Sequence, residues 1–161
     1  MERIEKAIEV DRPLSVVYNQ WTQFEEFPHF MDGVKDVRQL DETHVRWHAE
    51  LFGKDKEWEA EITEQVPDER ISWKSISGDA PNAGTVRFEA IGPSRTRVRL
   101  AMAYEPQGVA ENVGDALGLL GTRVQSSVDN FKRYIEEKGA SDGGWRGTVH
   151  DGKPQPGMSK H

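Results

Sequence analysis

Apolar and polar residues alternate along most of the first 104 residues of the chain, which predicts a series of β-strands. Between Glu57 and Ile62, for example, three glutamates alternate with Trp58, Ala60 and Ile62. One polar and one apolar face are typical of an antiparallel strand that is buried on one side only. About seven strands are predicted in this way, around the segments Glu2–Val10, Val34–Leu40, His44–Leu51, Trp58–Ile62, Ile71–Trp73, Val86–Ala90 and Val98–Tyr104.

Two short apolar segments follow the first predicted strand. A short helix is predicted by four apolar residues at spacings of three or four, namely Leu14, Val17, Tyr18 and Trp21. The segment 24–31 contains three phenylalanines and a methionine, but a proline interrupts it. This segment is too brief for an independent helix, and it is interpreted as an apolar flap.

After residue 106 the period of the apolar residues changes from two to about 3.6. Seven apolar residues from Val113 to Ile135 step by three or four along one face. This pattern predicts a single helix of about 29 residues, roughly 43 Å long. Gly139 is expected to end the helix, because glycine readily takes the left-handed conformation found at helix C-termini.

Gly114, Gly118 and Gly121 lie inside this predicted helix, beside its apolar face. Each glycine in a helix interior costs about 1 kcal/mol relative to alanine, so a compensating benefit is expected. Two interpretations remain open. The glycines either let a strand backbone approach the helix closely, or leave space between helix and sheet that a ligand can occupy.

Composition and charge narrow the classes of partner. The chain has 161 residues, with 21 Lys and Arg against 28 Asp and Glu, and a formal net charge of −7. An acidic chain whose cations are interleaved with carboxylates does not fit a protein that binds nucleic acid or an anionic membrane. The chain lacks cysteine, which fits a reducing compartment, and lacks an apolar run long enough for stable membrane insertion. A cytoplasmic protein is therefore predicted, with its oligomeric state left open.

Residues 139–161 differ in composition from the rest of the chain. They contain six glycines and two prolines, but only one residue of the set Leu, Ile, Val and Phe, namely Val149. This composition predicts a flexible tail without packed structure after a single folded domain of residues 1–138. Trp145, in the sequence GGWRG, is the only Trp, Tyr or Phe of this tail.

A curved sheet that wraps around one helix encloses more space than one helical face can fill. Large side chains from the predicted inward faces either fill that space or border a pocket for a ligand, and both outcomes remain open. The candidate ligand-binding residues come from the flap, the strands and the long helix: Phe27, Phe30, Met31, Trp47, Trp58, Trp73, Phe88, Met102, Tyr104, Leu117, Gly118 and Gly121.

An enzyme that transfers protons needs a group with a pKa near neutrality on the inner face. The alternation places Tyr104 and Ser75 there, with Lys6 or Lys56 as further candidates, but no histidine or carboxylate. His29 is the one histidine close to the flap. The sequence therefore favours a binding protein over a catalyst, and it predicts no cofactor.

His44 and His48 share one face of a predicted strand. Because neighbours on the same face of a strand are about 7 Å apart, two residues four positions apart are too distant to share one metal ion. Both histidines are predicted on the solvent side, and no metal site is predicted.

Several segments of the chain are similar to those of one known superfamily. These segments, within residues 2–138, are IEKAIEVDRP, VYNQWTQFEEFPHFM, WEAEITEQVPDERISWKS, PNAGTVRFE, TRVRLAMAYEP and GDALGLLGTRV. With them the chain resembles the START-like (SRPBCC) helix-grip superfamily, in particular its bacterial polyketide cyclase/dehydrase and coenzyme-Q-binding branch. The resemblance implies an α+β helix-grip fold, in which a curved antiparallel sheet wraps around a long C-terminal helix.

The resemblance also implies a START-like ligand-binding domain over residues 1–138, for a lipid-, quinone- or polyketide-like apolar molecule. Three hypotheses follow. The protein is a noncatalytic carrier or sensor of such a hydrophobic small molecule, or a cyclase or dehydratase in which Tyr104 or a lysine steers proton transfer. In the third, it is an interaction module with a packed interior, whose acidic surface or GGWRG tail docks a partner.

Overall fold

The structure is a computed structural model, and it describes residues 2–51, 53–78, 81–104, 116–141 and 143–155. Seven strands form one antiparallel sheet: β1 (Glu2–Val10), β2 (Val34–Gln39), β3 (His44–Leu51), β4 (Lys54–Val66), β5 (Arg70–Gly78), β6 (Asn82–Gly92) and β7 (Arg95–Tyr104). Their spatial order is β1-β7-β6-β5-β4-β3-β2, so every neighbour except β1–β7 is also a neighbour in sequence. The seven predicted strands are confirmed.

Two helical segments separate β1 from β2. The helix α1 (Leu14–Trp21) begins after Pro13, whose fixed φ suits a helix start. A 3-10 helix (Phe24–His29) follows and corresponds to the predicted apolar flap. Pro28 lies within this 3-10 helix, which accounts for its short length.

The long C-terminal helix α2 spans Ala116–Lys138 and ends at Gly139, as the sequence predicts. Gly139 takes a φ of +80°, and its N–H donates to the Ile135 carbonyl over 2.9 Å. The apolar residues of the predicted stripe that are described, Val124, Val128, Phe131 and Ile135, are all buried. The predicted beginning of this helix near Val113 lies outside the described residues.

Helix α2 packs across the inner face of the sheet and is held to β1 by polar contacts. Lys132 donates from Nζ to the Glu9 carbonyl over 2.8 Å. Just beyond β1, the Asp11 N–H donates to the Glu136 carboxylate over 2.7 Å. These bonds fix the C-terminal half of α2 at one edge of the sheet.

The inward faces of the strands are those that the alternation predicts. In β4, Trp58, Ala60 and Ile62 are buried between more exposed neighbours. The side chains that are most completely enclosed lie where α1, α2 and the sheet meet, and they include Tyr18, Trp21 and Phe131. This region is the centre of the hydrophobic core.

The prediction that residues 139–161 lack packed structure is wrong for residues 143–155. Two short strands form there, β8 (Thr148–His150) and β9 (Lys153–Gln155). Strand β8 pairs with β4, and Val149 is fully buried. Composition misled because one valine and one tryptophan suffice to anchor this segment, while backbone hydrogen bonds need no apolar side chains. Residues 156–161 lie outside the described part of the chain.

The turn between β8 and β9 explains how so short a segment reverses direction. Asp151 and Gly152 have φ angles of +51° and +75°. Two successive residues with positive φ, in the sequence Asp-Gly, are typical of the tight turns that join hairpin strands. Within the ranges that the structure describes, no helix is long and apolar enough to cross a membrane.

Candidate functional site

A cavity of about 90 Å³ lies between the inner face of the sheet and α2. Most of its lining is apolar: Met31, Val34, Trp47, Ala49, Trp58, Trp73, Leu100, Met102 and Val124. The other described lining residues are polar: Asp32, Asn82, Tyr104, Arg123 and Ser127. The cavity therefore combines an apolar wall with a small polar region.

Two stacked indoles form the flattest part of the wall. Trp47 of β3 and Trp58 of β4 are directly opposite each other in the strand register. Their ring centroids are 5.8 Å apart and their planes differ by 7°. Cross-strand pairs on one face contact each other, so the pairing of β3 with β4 determines this stacking. The pair presents a planar aromatic surface to the cavity.

Trp73 and Met102 meet across a glycine. Gly84 of β6 is paired with Trp73 of β5 on one side and with Met102 of β7 on the other. A Cβ atom at Gly84 would lie 2.5 Å from Cζ2 of Trp73 and 2.7 Å from the Met102 sulfur. Only glycine lets both side chains occupy the inner face at this point.

The polar region of the cavity contains Tyr104 and Arg123. Burial raises the pKa of Tyr104 to about 12, although the nearby charge of Arg123 acts in the opposite direction. The phenol is therefore protonated at neutral pH and can donate a hydrogen bond. Together with the guanidinium, it makes this region suited to an oxygen atom of a ligand.

Arg123 also connects α2 to the end of β3. Its Nη1 donates to the Glu50 carbonyl over 2.7 Å, and the Glu50 N–H donates to the Gly33 carbonyl over 2.7 Å. Gly33 has a φ of +85°, and a side chain there would overlap the guanidinium. A glycine is thus required both by the backbone conformation and by the position of Arg123.

Of the ten candidate residues whose side chains the structure describes, six border the cavity: Met31, Trp47, Trp58, Trp73, Met102 and Tyr104. Phe27 lies behind this wall, where it contacts Trp47 with ring centroids 5.6 Å apart. Phe30 and Phe88 belong instead to the ring cluster around Trp21, at 5.8 and 6.4 Å from it. The alternation of apolar and polar residues correctly identified the inward-facing residues of the strands. It could not show at which end of the sheet side chains fill the interior.

The glycines of α2 are only partly described. Gly121 is buried, and a Cβ atom there would have Lys6 Cε as its nearest neighbour, at 3.9 Å. A methyl group would fit at this position in ordinary van der Waals contact, so the helix does not need a glycine here for close packing, but Gly121 is not among the described residues that line the cavity. For Leu117 and Gly118 the prediction lies outside the described side chains.

Eight described lining residues were not among the predicted site residues: the polar Asp32, Asn82, Arg123 and Ser127, and the apolar Val34, Ala49, Leu100 and Val124. Asn82 lies on the same face of β6 as Val86, so extension of the alternation by two steps, through Gly84, would have found it. Arg123 is adjacent to Val124 of the apolar stripe, but its reach towards Glu50 depends on tertiary structure. Ser75, which the sequence offered as a polar anchor, instead accepts a hydrogen bond from the Asn82 N–H over 3.0 Å.

The histidines lie away from the cavity lining. His44 lies 2.9 Å from the Asp41 carboxylate, whose hydrogen bond raises the histidine pKa, and His48 lies 3.6 Å from Asp55. His29 stacks on Tyr134 of α2, with centroids 5.9 Å apart. The solvent-side placement of His44 and His48 is confirmed.

Comparison with known proteins places this geometry in context. A family described as "Polyketide cyclase / dehydrase and lipid transport" matches residues 10–133. The chain belongs to this family. A relative from Streptomyces lincolnensis, an uncharacterised 17.2 kDa protein, is 45% identical over 149 residues, which is 92% of this chain and 99% of the relative.

Solved structures support the same fold. A START superfamily protein from Mycobacterium smegmatis is 14% identical, with a TM-score of 0.67 over 84% of this chain and 95% of that one. The Zhui aromatase/cyclase from Streptomyces sp. R1128 is 16% identical, with a TM-score of 0.70 over 89% and 98%. These likenesses confirm the predicted helix-grip fold.

Proposed function

We propose that the protein binds a lipid-, quinone- or polyketide-like apolar molecule in the cavity between the sheet and α2, without catalysing a reaction. The observation that carries this proposal is the lining, which combines Trp47, Trp58 and Trp73 with the polar side chains of Tyr104 and Arg123. Ligand sites are typically apolar clefts with a few placed polar groups, and this cavity has that composition.

The size of the cavity restricts how such a molecule fits. Pockets for drug-sized ligands measure about 300–1,000 Å³, whereas this cavity measures about 90 Å³. It accommodates a single ring or a chain end. A larger ligand requires side-chain movement, for which the unbranched side chains of Met31 and Met102 in the wall are suited.

The free energy gained from apolar burial in this cavity is too small for binding without polar contacts. Burying about 150 Å² of one ring yields about 4 kcal/mol at about 25 cal/mol per Å². Association costs at least about 4 kcal/mol in lost freedom, so one apolar ring alone gives no useful affinity. A hydrogen bond from Tyr104 or Arg123, or a widened cavity, supplies the difference.

The titratable groups of the described lining support a noncatalytic role. Among the described lining residues the titratable groups are Asp32, Tyr104 and Arg123, and Asp32 is exposed. Tyr104, with a pKa of about 12, is a donor rather than a base at neutral pH.

The test combines native mass spectrometry with the uptake of the fluorescent probe N-phenyl-1-naphthylamine. Ala49 is buried and borders the cavity, so Ala49→Leu places three more carbon atoms in that space. We expect probe binding by the unmodified protein and a loss of at least tenfold in affinity for Ala49→Leu. Ala90→Leu, at an exposed position, is the matched control and should bind normally.

An apo mass for freshly purified protein, together with no probe uptake, would contradict the proposal. That result is the one expected of an interaction module with a filled interior.

A cyclase or dehydratase activity is the second candidate. The observation that favours it is the proximity of a protonated phenol, Tyr104, and the positive charge of Arg123, because both can stabilise a developing oxyanion. The Zhui protein, described as an aromatase/cyclase, shares the fold. If this activity exists on a poly-keto substrate, Tyr104→Phe should lower turnover about a hundredfold.

A further inference from the structure

Residues 143–155, which we name the C-terminal strap, cross the outside of α1. The Trp145 N–H donates to Oγ1 of Thr22 over 3.0 Å, and Arg146 donates from Nη1 to Oδ1 of Asn19 over 2.7 Å. A Cβ atom at Gly144 would lie 2.7 Å from the Asn19 side chain. The strap therefore lies against α1 too closely for any residue larger than glycine at this position.

The strap is anchored on the other side to the end of β4 and the turn that follows it. Arg146 contacts the Asp68 carboxylate with Nη2 at 2.7 Å, and its guanidinium lies 5.4 Å from the centre of the Tyr18 ring. His150 is paired with Glu64 in the strand register, and their side chains are 2.9 Å apart. One segment thus joins α1 to the sheet from outside.

Thr22 is the junction between the strap and the flap. Its hydroxyl donates to the Asn19 carbonyl over 2.6 Å and accepts hydrogen bonds from the Trp145 N–H and from Nε2 of Gln23, over 3.0 and 2.9 Å. Thr22 and Gln23 are the only residues between α1 and the 3-10 helix. The contact with Trp145 therefore restrains the point at which the chain enters the 3-10 helix.

A continuous set of ring contacts leads from this junction to the cavity. Trp21 is next to Thr22, and its ring centroid lies 5.4 Å from that of Phe27 in the 3-10 helix. The ring centroid of Phe27 lies 5.6 Å from that of Trp47 in the cavity wall. Met31, two residues after the 3-10 helix, also borders the cavity. Movement of the 3-10 helix would shift Phe27 away from Trp47 and displace the chain that leads to Met31, so it would widen the cavity on this side beyond what side-chain movement alone allows.

We propose that the C-terminal strap holds α1 and the 3-10 helix in place, and that its contacts with them limit how far the cavity opens. Release of the strap frees the Thr22 junction and lets the 3-10 helix move away from Trp47. The part of this proposal that concerns ligand entry rests on the proposed function, whereas the restraint on the 3-10 helix does not.

Hydrogen–deuterium exchange of the full chain measures the restraint directly. In Arg146→Ala the strap loses its contacts with Asn19 and Asp68. We expect at least tenfold faster amide exchange both in the strap and at Phe30 and Met31, whose N–H groups donate to the Phe27 carbonyl. The amides of β6 and β7 should not change, which separates local release from global destabilisation.

Two further variants keep the test decisive. Gly144→Val lifts the strap from Asn19 without removing a charge, and should reproduce the effect of Arg146→Ala. Arg133→Ala, at an exposed position on α2, is the matched control and should exchange like the unmodified protein. Faster exchange in the strap with unchanged exchange at residues 24–31 would overturn the proposal, and so would unchanged exchange of the strap in both variants.

Stopped-flow mixing with N-phenyl-1-naphthylamine then tests the link to ligand entry. We expect the association rate to rise about fivefold or more in Arg146→Ala and Gly144→Val. If the probe binds all proteins at one rate while exchange at residues 24–31 increases, the strap does not limit access and that part is overturned. If no protein binds the probe and the freshly purified protein has an apo mass, the proposed function fails, while the exchange result still decides the restraint.

Discussion

The two ends of the protein interior are both built from aromatic side chains, but only one end is filled. We call the region around Tyr18, Trp21, Phe30, Phe88 and Phe131 the packed end, and the region around Trp47, Trp58, Trp73, Met102 and Tyr104 the cavity end. Rings at the packed end meet edge to face, as in Tyr18 against Phe88 at 5.3 Å and 80°. At the cavity end, Trp47 and Trp58 lie parallel and face open space.

The difference arises from the number of layers that oppose the sheet. At the packed end, α1 supplies Tyr18 and Trp21, and the residue that follows the 3-10 helix, Phe30, is added to Phe131 from α2. At the cavity end the described opposing residues come from α2 and from the segment 31–34. Interior space survives where one layer of helix faces a curved sheet, whatever the size of the side chains on that sheet.

The largest expected difference between the two ends is in the free energy of unfolding. Phe131 is fully buried and its ring lies 5.1 Å from those of both Trp21 and Phe30. Phe131→Ala should destabilise by about 3–5 kcal/mol, because it removes a ring from a filled region. Met102→Ala should cost about 2 kcal/mol or less, since Met102 already borders empty space.

Urea unfolding followed by circular dichroism gives both values. Equal losses for Phe131→Ala and Met102→Ala would show that the two ends are packed alike, and would remove the basis of the comparison.

Substitutions of two glycines should change the free energy of unfolding by smaller amounts and in opposite directions. Gly84→Ala places a Cβ atom against Trp73 and Met102 and should destabilise by about 1–3 kcal/mol. Gly121→Ala meets no close neighbour and replaces a glycine in a helix, so it should stabilise by about 1 kcal/mol. Thermal and urea unfolding of both variants measure the two effects, and destabilisation by Gly121→Ala would contradict the inferred room for a methyl group beside α2.

The smallest predicted effect is on the pH dependence of the free energy of unfolding. It involves one tyrosine at each end of the interior and is absent at neutral pH. Burial raises the pKa of Tyr18 to about 12, partly offset by Gln65 and Arg146, and burial raises that of Tyr104 to about 12 as well. An exposed tyrosine in the unfolded chain has a pKa of about 10. Between pH 10 and 12 the unfolded chain therefore loses protons that the folded protein keeps, and stability falls as the pH rises.

Tyr18→Phe and Tyr104→Phe should each make this decline less steep. Urea unfolding at a series of pH values from 8 to 11.5, with phenolate absorbance at 295 nm, measures the decline. A cavity end that admits water would let Tyr104 ionise at lower pH than Tyr18. Ionisation of both tyrosines near pH 10 would contradict the burial of either ring.

The sequence was most informative where one face of an element meets the core. Alternation identified the inward set of β4, and the spacing of Val124, Val128, Phe131 and Ile135 identified the buried face of α2. The end of α2 at Gly139 followed from local backbone chemistry. Each of these features depends on neighbours in sequence, which is why it could be predicted.

Features that depend on distant segments could not be predicted in this way. Nothing in the local pattern indicates that Arg123 reaches Glu50, or that Phe88 meets Tyr18 rather than the cavity. The packing of the strap was not predicted because it depends on Arg146, on Val149 and on backbone hydrogen bonds to β4. A prediction from composition considers only the number of apolar residues, and one valine is too few to indicate packed structure.

The hairpin of β8 and β9 has a consequence for self-association of the protein. Strand β4 runs on past the last residue that β3 pairs with, Glu61, and β8 covers it at Glu64 and Gln65. An uncovered strand of this kind would be a template for pairing with another chain. The final strand, β9, has a lysine at 153 and a proline at 154, which lacks an N–H group. Edge-to-edge pairing between the sheets of two molecules is therefore disfavoured at β9, the last strand that the structure describes.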